Sequence, residues 1–63
     1  MKRYIFFCEQ LSVDEYESLY KALDDNSFMT IPKHNRIIEA FWDNKEAIED
    51  VIQIPANCNY VCS

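Results

Sequence analysis

The spacing of apolar residues predicts an opening strand followed by a helix. Residues 2–8 are mostly aromatic or β-branched and carry no helix-capping signal, which is typical of a strand. Ser12 and Glu15 have the spacing of a capping box at the start of a helix. The apolar residues that follow recur at helical intervals and form one stripe (Tyr16, Leu19, Tyr20 and Leu23). We expect this helix to end near residues 24–26.

The middle of the chain, residues 27–54, is compatible with two interpretations. In the first, residues 28–31 and 36–42 are two strands joined by a turn, and Asp43 caps a second helix that ends near Gln53. In the second, one long helix covers residues 32–53. Periodicity does not separate them, because four apolar residues also share one face of the long helix (Ile37, Phe41, Ile48 and Ile52).

Charge placement favours the first interpretation. A single helix would begin with basic residues and end with acidic ones, and each such charge opposes the helix dipole by roughly 0.3–1 kcal/mol. It would also place Asp43 and Asn44, both poor helix formers, in its interior. The first interpretation uses Asp43 as a cap instead.

A short strand at residues 57–62 completes the order β-α-β-β-α-β. This order predicts an α+β fold, a compact ferredoxin-like sandwich of four antiparallel strands with two helices on one face. The alternative is a mostly α-helical hairpin with a short N-terminal strand. Sixty-three residues form a single domain, 1–63, near the lower size limit for independent folding. The architecture itself is compatible with many functions.

Composition excludes several classes of function. The chain has no glycine, so it has neither a P-loop nor a glycine-rich dinucleotide-binding loop. Its net charge of −5 disfavours binding to a nucleic-acid backbone or an anionic membrane surface. No apolar run approaches the ~20 residues that a membrane span needs. We therefore expect a cytoplasmic protein with no membrane contact.

The three cysteines and the lone histidine do not have metal-site spacing. Cys58 and Cys62 lie in a predicted strand, about 13 Å apart at ~3.3 Å per residue, so they do not share one tetrahedral ion. We expect these two thiols and Cys8 to pack as small hydrophobes, with a Cys58–Cys62 disulfide or redox role as the alternative. We expect His34 to be a solvated turn residue. With no paired nucleophile and base in the sequence, we expect no catalytic activity, metal or cofactor.

Two surfaces are candidates for binding a partner. The first and third strands are apolar on both faces, whereas two helices cover only one face of a four-stranded sheet. The other face is therefore a candidate interface for a protein partner or a homodimer, with Tyr4, Phe6 and Trp42 as its aromatic anchors.

The second candidate surface is acidic. Three acidic residues near the second helix, Glu46, Glu49 and Asp50, should lie on the same convex side as the acidic residues of the first helix. Such a surface is usually solvated and keeps a protein in solution. Its functional interpretation is a mimic of nucleic-acid phosphates that blocks a nucleic-acid-binding protein.

The small size, the acidity, the absence of glycine and the start Lys-Arg-Tyr-Ile-Phe-Phe resemble the small accessory proteins of temperate (lambdoid-type) phage early regions. The resemblance is one of general character over the whole chain and transfers no site residues. It implies a non-enzymatic regulator or inhibitor that docks on a larger host or phage protein. A structural homodimer is the competing hypothesis.

Overall fold

Four strands, two helices and one tight turn make up the computed structural model, which describes residues 1–63. The strands are β1 (Lys2–Phe7), β2 (Met29–Lys33), β3 (Ile37–Trp42) and β4 (Asn59–Cys62), and the helices are α1 (Val13–Asn26) and α2 (Ile48–Val51). The order along the chain is β1-α1-β2-β3-α2-β4.

The four strands form one antiparallel sheet in the order β2-β3-β1-β4. Ala40 of β3 lies opposite Tyr4 of β1 on one side and Thr30 of β2 on the other. On the far side of β1, Tyr4 lies opposite Cys62 of β4. Residues directly opposite one another point to the same face of a sheet, so this register determines which side chains share a face.

Helix α1 begins with the predicted capping box. The Ser12 hydroxyl accepts a hydrogen bond from the backbone N–H of Glu15 at 3.1 Å, and the Glu15 carboxylate accepts one from the Ser12 N–H at 2.9 Å. After Asn26, the N–H of Ser27 donates to the Leu23 carbonyl at 2.8 Å. Leu19 and Leu23 are buried against the sheet, and the predicted helix and its stripe are confirmed.

The turn between β2 and β3 lies at His34–Arg36, slightly later than predicted. Because β2 is an edge strand, it accommodates Pro32 without losing a ladder hydrogen bond and continues to Lys33. Asn35 and Arg36 have φ values of 61° and 57°, a region in which Asn is tolerated better than Arg. Two contacts hold Arg36 there: its guanidinium donates to the backbone carbonyl of Leu11 and lies over the Tyr16 ring, 4.9 Å from the centroid.

The second helix is only one turn long, and the prediction that Asp43 caps it is wrong. The Trp42 indole N–H donates to the Glu46 carbonyl at 2.8 Å, and the Asn44 side-chain oxygen accepts from the Glu46 N–H at 3.0 Å. In a helix capped by Asp43, the Glu46 N–H would donate to the Asp43 side chain and the Glu46 carbonyl would accept from the Asp50 N–H, which here donates to Ala47 at 3.0 Å. Residues 43–47 therefore form a loop, and α2 begins at Ile48.

One hydrophobic core lies between the sheet and the two helices. Burial of a large apolar side chain contributes about 1.5–3 kcal/mol, so this cluster is the main source of stability. Tyr60, half-buried, packs against it with a ring centroid 5.2 Å from that of Phe6. The cluster contains twelve buried residues (Tyr4, Phe6, Cys8, Leu11, Leu19, Leu23, Ile38, Ala40, Trp42, Ile48, Ile52 and Cys58).

These elements confirm the predicted α+β class with a four-stranded antiparallel sheet and two helices. The alternative of one long helix over residues 32–53 is wrong, because residues 37–42 form a central strand. Neither helix has the length and apolar character required to cross a bilayer.

Candidate interaction surface

The core occupies one face of the sheet, and the side chains on the opposite face point away from both helices. We call this second face the open sheet face. In register across β2, β3, β1 and β4 it forms a grid in which seven side chains are apolar. Its residues are Arg3, Ile5, Phe7, Met29, Ile31, Lys33, Ile37, Glu39, Phe41, Asn59 and Val61.

Solvent reaches much of this apolar surface. Val61 is 54% exposed, Met29 is 47% exposed and Phe7 is 37% exposed. The other four apolar residues are half-buried, since neighbouring strands shield their sides (Ile5, Ile31, Ile37 and Phe41). An apolar surface that the fold itself leaves uncovered is typical of an interaction site.

Three charged side chains form an ion cluster at the centre of the open sheet face. Glu39 is only 6% exposed, and its direct neighbours across the strands are Ile5 and Ile31. Its carboxylate accepts a hydrogen bond from the Arg3 guanidinium and lies 3.4 Å from the Lys33 ammonium. We call Arg3, Lys33 and Glu39 the ion cluster.

Electrostatics keep the Glu39 carboxylate charged. The hydrogen bond from Arg3 lowers the pKa of Glu39 against the opposing effect of burial, and Lys33 lowers it further. Both cationic side chains remain about half exposed, at 46% and 48%. The open sheet face therefore presents two accessible cations and one shielded anion within an apolar surround.

The assignment of Tyr4, Phe6 and Trp42 to the uncovered face is wrong. All three point toward the helices and are 5%, 0% and 2% exposed. The hydrogen bond from the Trp42 indole N–H to the Glu46 carbonyl holds the side chain on the helical side of the sheet. The sheet does have an uncovered apolar face. It is formed by the residues that alternate with the predicted ones along each strand, such as Phe7 and Phe41.

One signal in the sequence distinguishes the two faces. Of the charged residues within the strands, Arg3, Lys33 and Glu39 all fall on the same alternation, and only the terminal Lys2 falls on the other. Charged residues avoid a core, so this shared alternation marks the solvent side. The interaction among the three required the register and was not visible in the sequence.

The three acidic candidates around α2 lie at the surface on the helical side. Glu46, Glu49 and Asp50 are all exposed. Glu49 accepts a hydrogen bond from the Tyr60 hydroxyl at 2.7 Å, which lowers the pKa of Glu49 and raises that of Tyr60. Helix α1 adds five acidic residues against one lysine, so the helical side is strongly negative.

The cysteines divide into a buried pair and an exposed one. The Cys8 and Cys58 sulfur atoms lie 3.8 Å apart, and both residues are buried as predicted. Cys62 is exposed, contrary to the expectation that it packs as a small hydrophobe. His34 lies exposed in its turn, as predicted. The residues described include no group of three or more His, Cys, Asp or Glu side chains placed to hold a metal ion.

Comparison with known proteins adds no relative. No family model matches the chain, and neither a curated protein nor a solved structure matches it.

Proposed function

We propose that this protein is a non-enzymatic interaction module that docks on a larger protein through the open sheet face. The observation that carries the proposal is the seven-residue apolar surface with an ion cluster at its centre, on the side that no helix covers. Affinity comes from the accessible apolar residues, with Phe7 and Phe41 as the aromatic anchors. Specificity comes from Arg3 and Lys33, because an apolar partner must also provide groups for these cations.

The charges of the open sheet face favour a partner whose docking segment is apolar and acidic. The face has two cations and one anion, whereas α1 alone has five acidic residues and one basic residue. An acidic segment is attracted by Arg3 and Lys33, and a basic one is not. Glu39 is shielded between its two cations and therefore repels an incoming carboxylate only weakly.

A symmetric homodimer through this face is the less favoured occupant. Four strands about 4.8 Å apart and four to six residues long offer at most roughly 400 Å² a side, or about 800 Å² in total. Stable interfaces usually bury at least about 1,200 Å². Stacking two open sheet faces would also bring two net-positive clusters together in a dry interface. A larger partner avoids both problems by extending past the edges of the sheet, where Phe28 is 62% exposed.

The finer fold assignment belongs to the same proposal. We assign the chain to the ferredoxin-like type, on the support of its element order and its strand order β2-β3-β1-β4. Its three free cysteines support a cytoplasmic location. Its general resemblance to phage accessory proteins supports a regulatory or inhibitory role on a host or phage protein.

A second candidate function uses the helical side. The exposed Glu46, Glu49 and Asp50, with the acidic residues of α1, would act as a mimic of nucleic-acid phosphates. Solvated acidic helices are common in small proteins, so this candidate has weaker support than the apolar face.

The test compares two exposed valines on opposite sides of the molecule. Val61 lies on the open sheet face and is 54% exposed, and Val13 lies at the start of α1 and is 62% exposed. Proteins captured from an extract by the wild type are purified, and direct binding is then measured by calorimetry. We expect Val61→Ser and Phe7→Ser to raise the dissociation constant about tenfold or more, and Val13→Ser to leave it unchanged.

The acidic mimic and the homodimer predict different results from the docking proposal. If charge reversal at Glu46, Glu49 and Asp50 abolishes binding and Val61→Ser does not, the acidic mimic replaces the docking proposal. If light scattering finds a dimer at micromolar concentration that Val61→Ser dissociates, the sheet face is a homodimer interface. Binding that is equally insensitive to all of these substitutions contradicts both surfaces.

A further inference from the structure

The buried cysteines lie one residue beyond the facing ends of two adjacent strands, Cys8 after β1 and Cys58 before β4. The β1–β4 register ends with Phe7 opposite Asn59, so the next pair along is Cys8 opposite Cys58. At the other end of the ladder, Arg3 and Ser63 exchange both backbone hydrogen bonds, at 3.1 and 2.8 Å.

Hydrogen-bonded and non-hydrogen-bonded pairs alternate along an antiparallel ladder. Counted from Arg3 and Ser63, the cysteine pair occupies a non-hydrogen-bonded position, where Cα atoms lie about 4.5 Å apart and side chains are closest. The backbone agrees, since the Cys8 N–H donates to Arg36 at 2.9 Å and the Cys58 N–H donates to Pro55 at 3.0 Å.

We propose that Cys8 and Cys58 form an intramolecular disulfide, by exchange with a low-molecular-weight disulfide, that fastens β4 to the central strand β1. A disulfide requires Cα atoms about 4.4–6.8 Å apart, and the typical spacing of a non-hydrogen-bonded pair falls within that range. The sulfur atoms are already in contact at 3.8 Å, so closure to the bond length of about 2.05 Å needs side-chain rotation and little backbone movement.

Cys58 is the thiol that the oxidant reaches first. It lines a surface cavity of about 400 Å³ together with Glu49, Gln53 and Pro55. Cys8 has no exposed surface, and Cys58 has 6%. The route from solvent to the pair therefore passes through Cys58.

Hydrogen bonding supports the same order. Burial raises the pKa of Cys8 to about 12, and burial also raises the pKa of Cys58. The hydrogen bond between the two sulfur atoms raises the pKa of Cys8 further but lowers the pKa of Cys58. Cys58 is therefore the first thiolate, and the reaction accelerates as the pH rises toward 9.

The exchange proceeds in two balanced steps. The Cys58 thiolate attacks one sulfur of the small disulfide, forming a mixed disulfide and releasing one small thiolate. Cys8 then loses its proton and attacks the Cys58 sulfur, which forms the Cys8–Cys58 bond and releases the second small thiolate. The two cysteine protons end on the two released thiols, so the protein is oxidised by two electrons and the small disulfide is reduced by two.

The pairing separates this site from Cys62. Cys62 lies four residues along β4, is exposed, and pairs across the sheet with Tyr4 rather than with a cysteine. It reacts with the oxidant independently but has no resolving partner. Substitution by serine removes this side reaction without touching the buried pair.

The experiment incubates folded wild type and Cys62→Ser with oxidised glutathione at pH 8.5 and maps the products by mass spectrometry. We expect the buried pair to lose two hydrogens in both proteins. The peptide map should then show one disulfide bond, which joins Cys8 to Cys58. The link closes a loop of about fifty residues, so Tm should rise by more than about 10 °C and return after reduction. The matched control, Cys62→Ser with Cys58→Ser, should show no uptake of glutathione at Cys8.

Three results would overturn the inference. The first is two free thiols in Cys62→Ser after exposure to the oxidant. The second is a stable mixed disulfide at Cys58, which would mean that Cys8 does not approach it. The third is a link between Cys58 and Cys62 in the wild type. Docking through the open sheet face is measured with reduced protein, so its outcome is independent of all three.

Discussion

Glu39 is the only polar or charged residue among the thirteen buried residues of the protein. A carboxylate in the middle of an apolar sheet face is unfavourable unless cations compensate it, and here Arg3 and Lys33 both do. The three charges also make the face a poor match for another flat apolar sheet, which limits unspecific association. The ion cluster thus combines a structural role with the selectivity that the proposed docking requires.

Replacement of Glu39 by glutamine tests its contribution through pH. The pKa of Glu39 lies below its ordinary value of 4.5, so the carboxylate stabilises the fold above that pH and the contribution is lost as the pH falls through the folded-state pKa. In urea unfolding between pH 5 and pH 3, we expect the wild type to lose more stability than Glu39→Gln. At pH 7 the variant should be less stable, because Arg3 and Lys33 lose their shared counter-charge.

The control for this measurement is Glu17→Gln, which changes an exposed glutamate of α1. Its stability should follow the wild type across the whole range. Parallel pH curves for wild type and Glu39→Gln would show that the ion cluster adds nothing to folding stability.

At the scale of elements, local signals decided what the sequence revealed. Helix α1 was predictable because its capping box and its stripe lie within the twelve residues from Ser12 to Leu23. Helix α2 was not, since its start depends on hydrogen bonds that Trp42 and Asn44 make to Glu46 once the chain has turned. The two faces of β1 and β3 were likewise ambiguous, because both alternations are apolar and only the register shows which one the helices cover.

The capping box of α1 gives a stability prediction at this scale. Ser12→Ala removes the hydroxyl that accepts from the Glu15 N–H, so we expect a loss of about 1 kcal/mol. For a domain of this size, that corresponds to a fall in Tm of roughly 4–8 °C by calorimetry. Ser18→Ala, at an exposed position inside the same helix, should be neutral or slightly stabilising. Equal effects at both positions would mean that the cap does not stabilise the helix.

At the scale of the whole molecule, charge is segregated between the two sides. The open sheet face has two cations and one anion, while α1 and α2 together have seven acidic residues and one lysine. The overall charge of −5 therefore describes the helical side and conceals the character of the sheet side. Long-range attraction would orient a partner toward one side or the other before contact.

The core also makes the molecule sensitive to alkali. Burial is the main cause of the raised pKa values of Cys8, Cys58 and Tyr4. A raised folded-state pKa gives a contribution that is complete below the unfolded value and is lost as the pH rises through the folded value. For the cysteines this window opens at the ordinary pKa of 9.0 and, for Cys8, extends to about 12. We therefore expect reduced protein to lose stability steadily above pH 9.

Two alanine variants locate the source of this alkaline loss. Cys8→Ala removes the thiol whose pKa is raised to about 12, so the urea midpoint of the variant should fall less between pH 9 and pH 11 than that of the wild type. At pH 7 the variant should be less stable than the wild type, because the substitution removes a buried side chain. Ser18→Ala changes an exposed residue of α1 that has no titratable group, and it should reproduce the wild-type pH dependence. An alkaline slope that is unaltered in Cys8→Ala would contradict the burial of the neutral Cys8 thiol as its cause and would leave Cys58 and Tyr4 as the source of the loss.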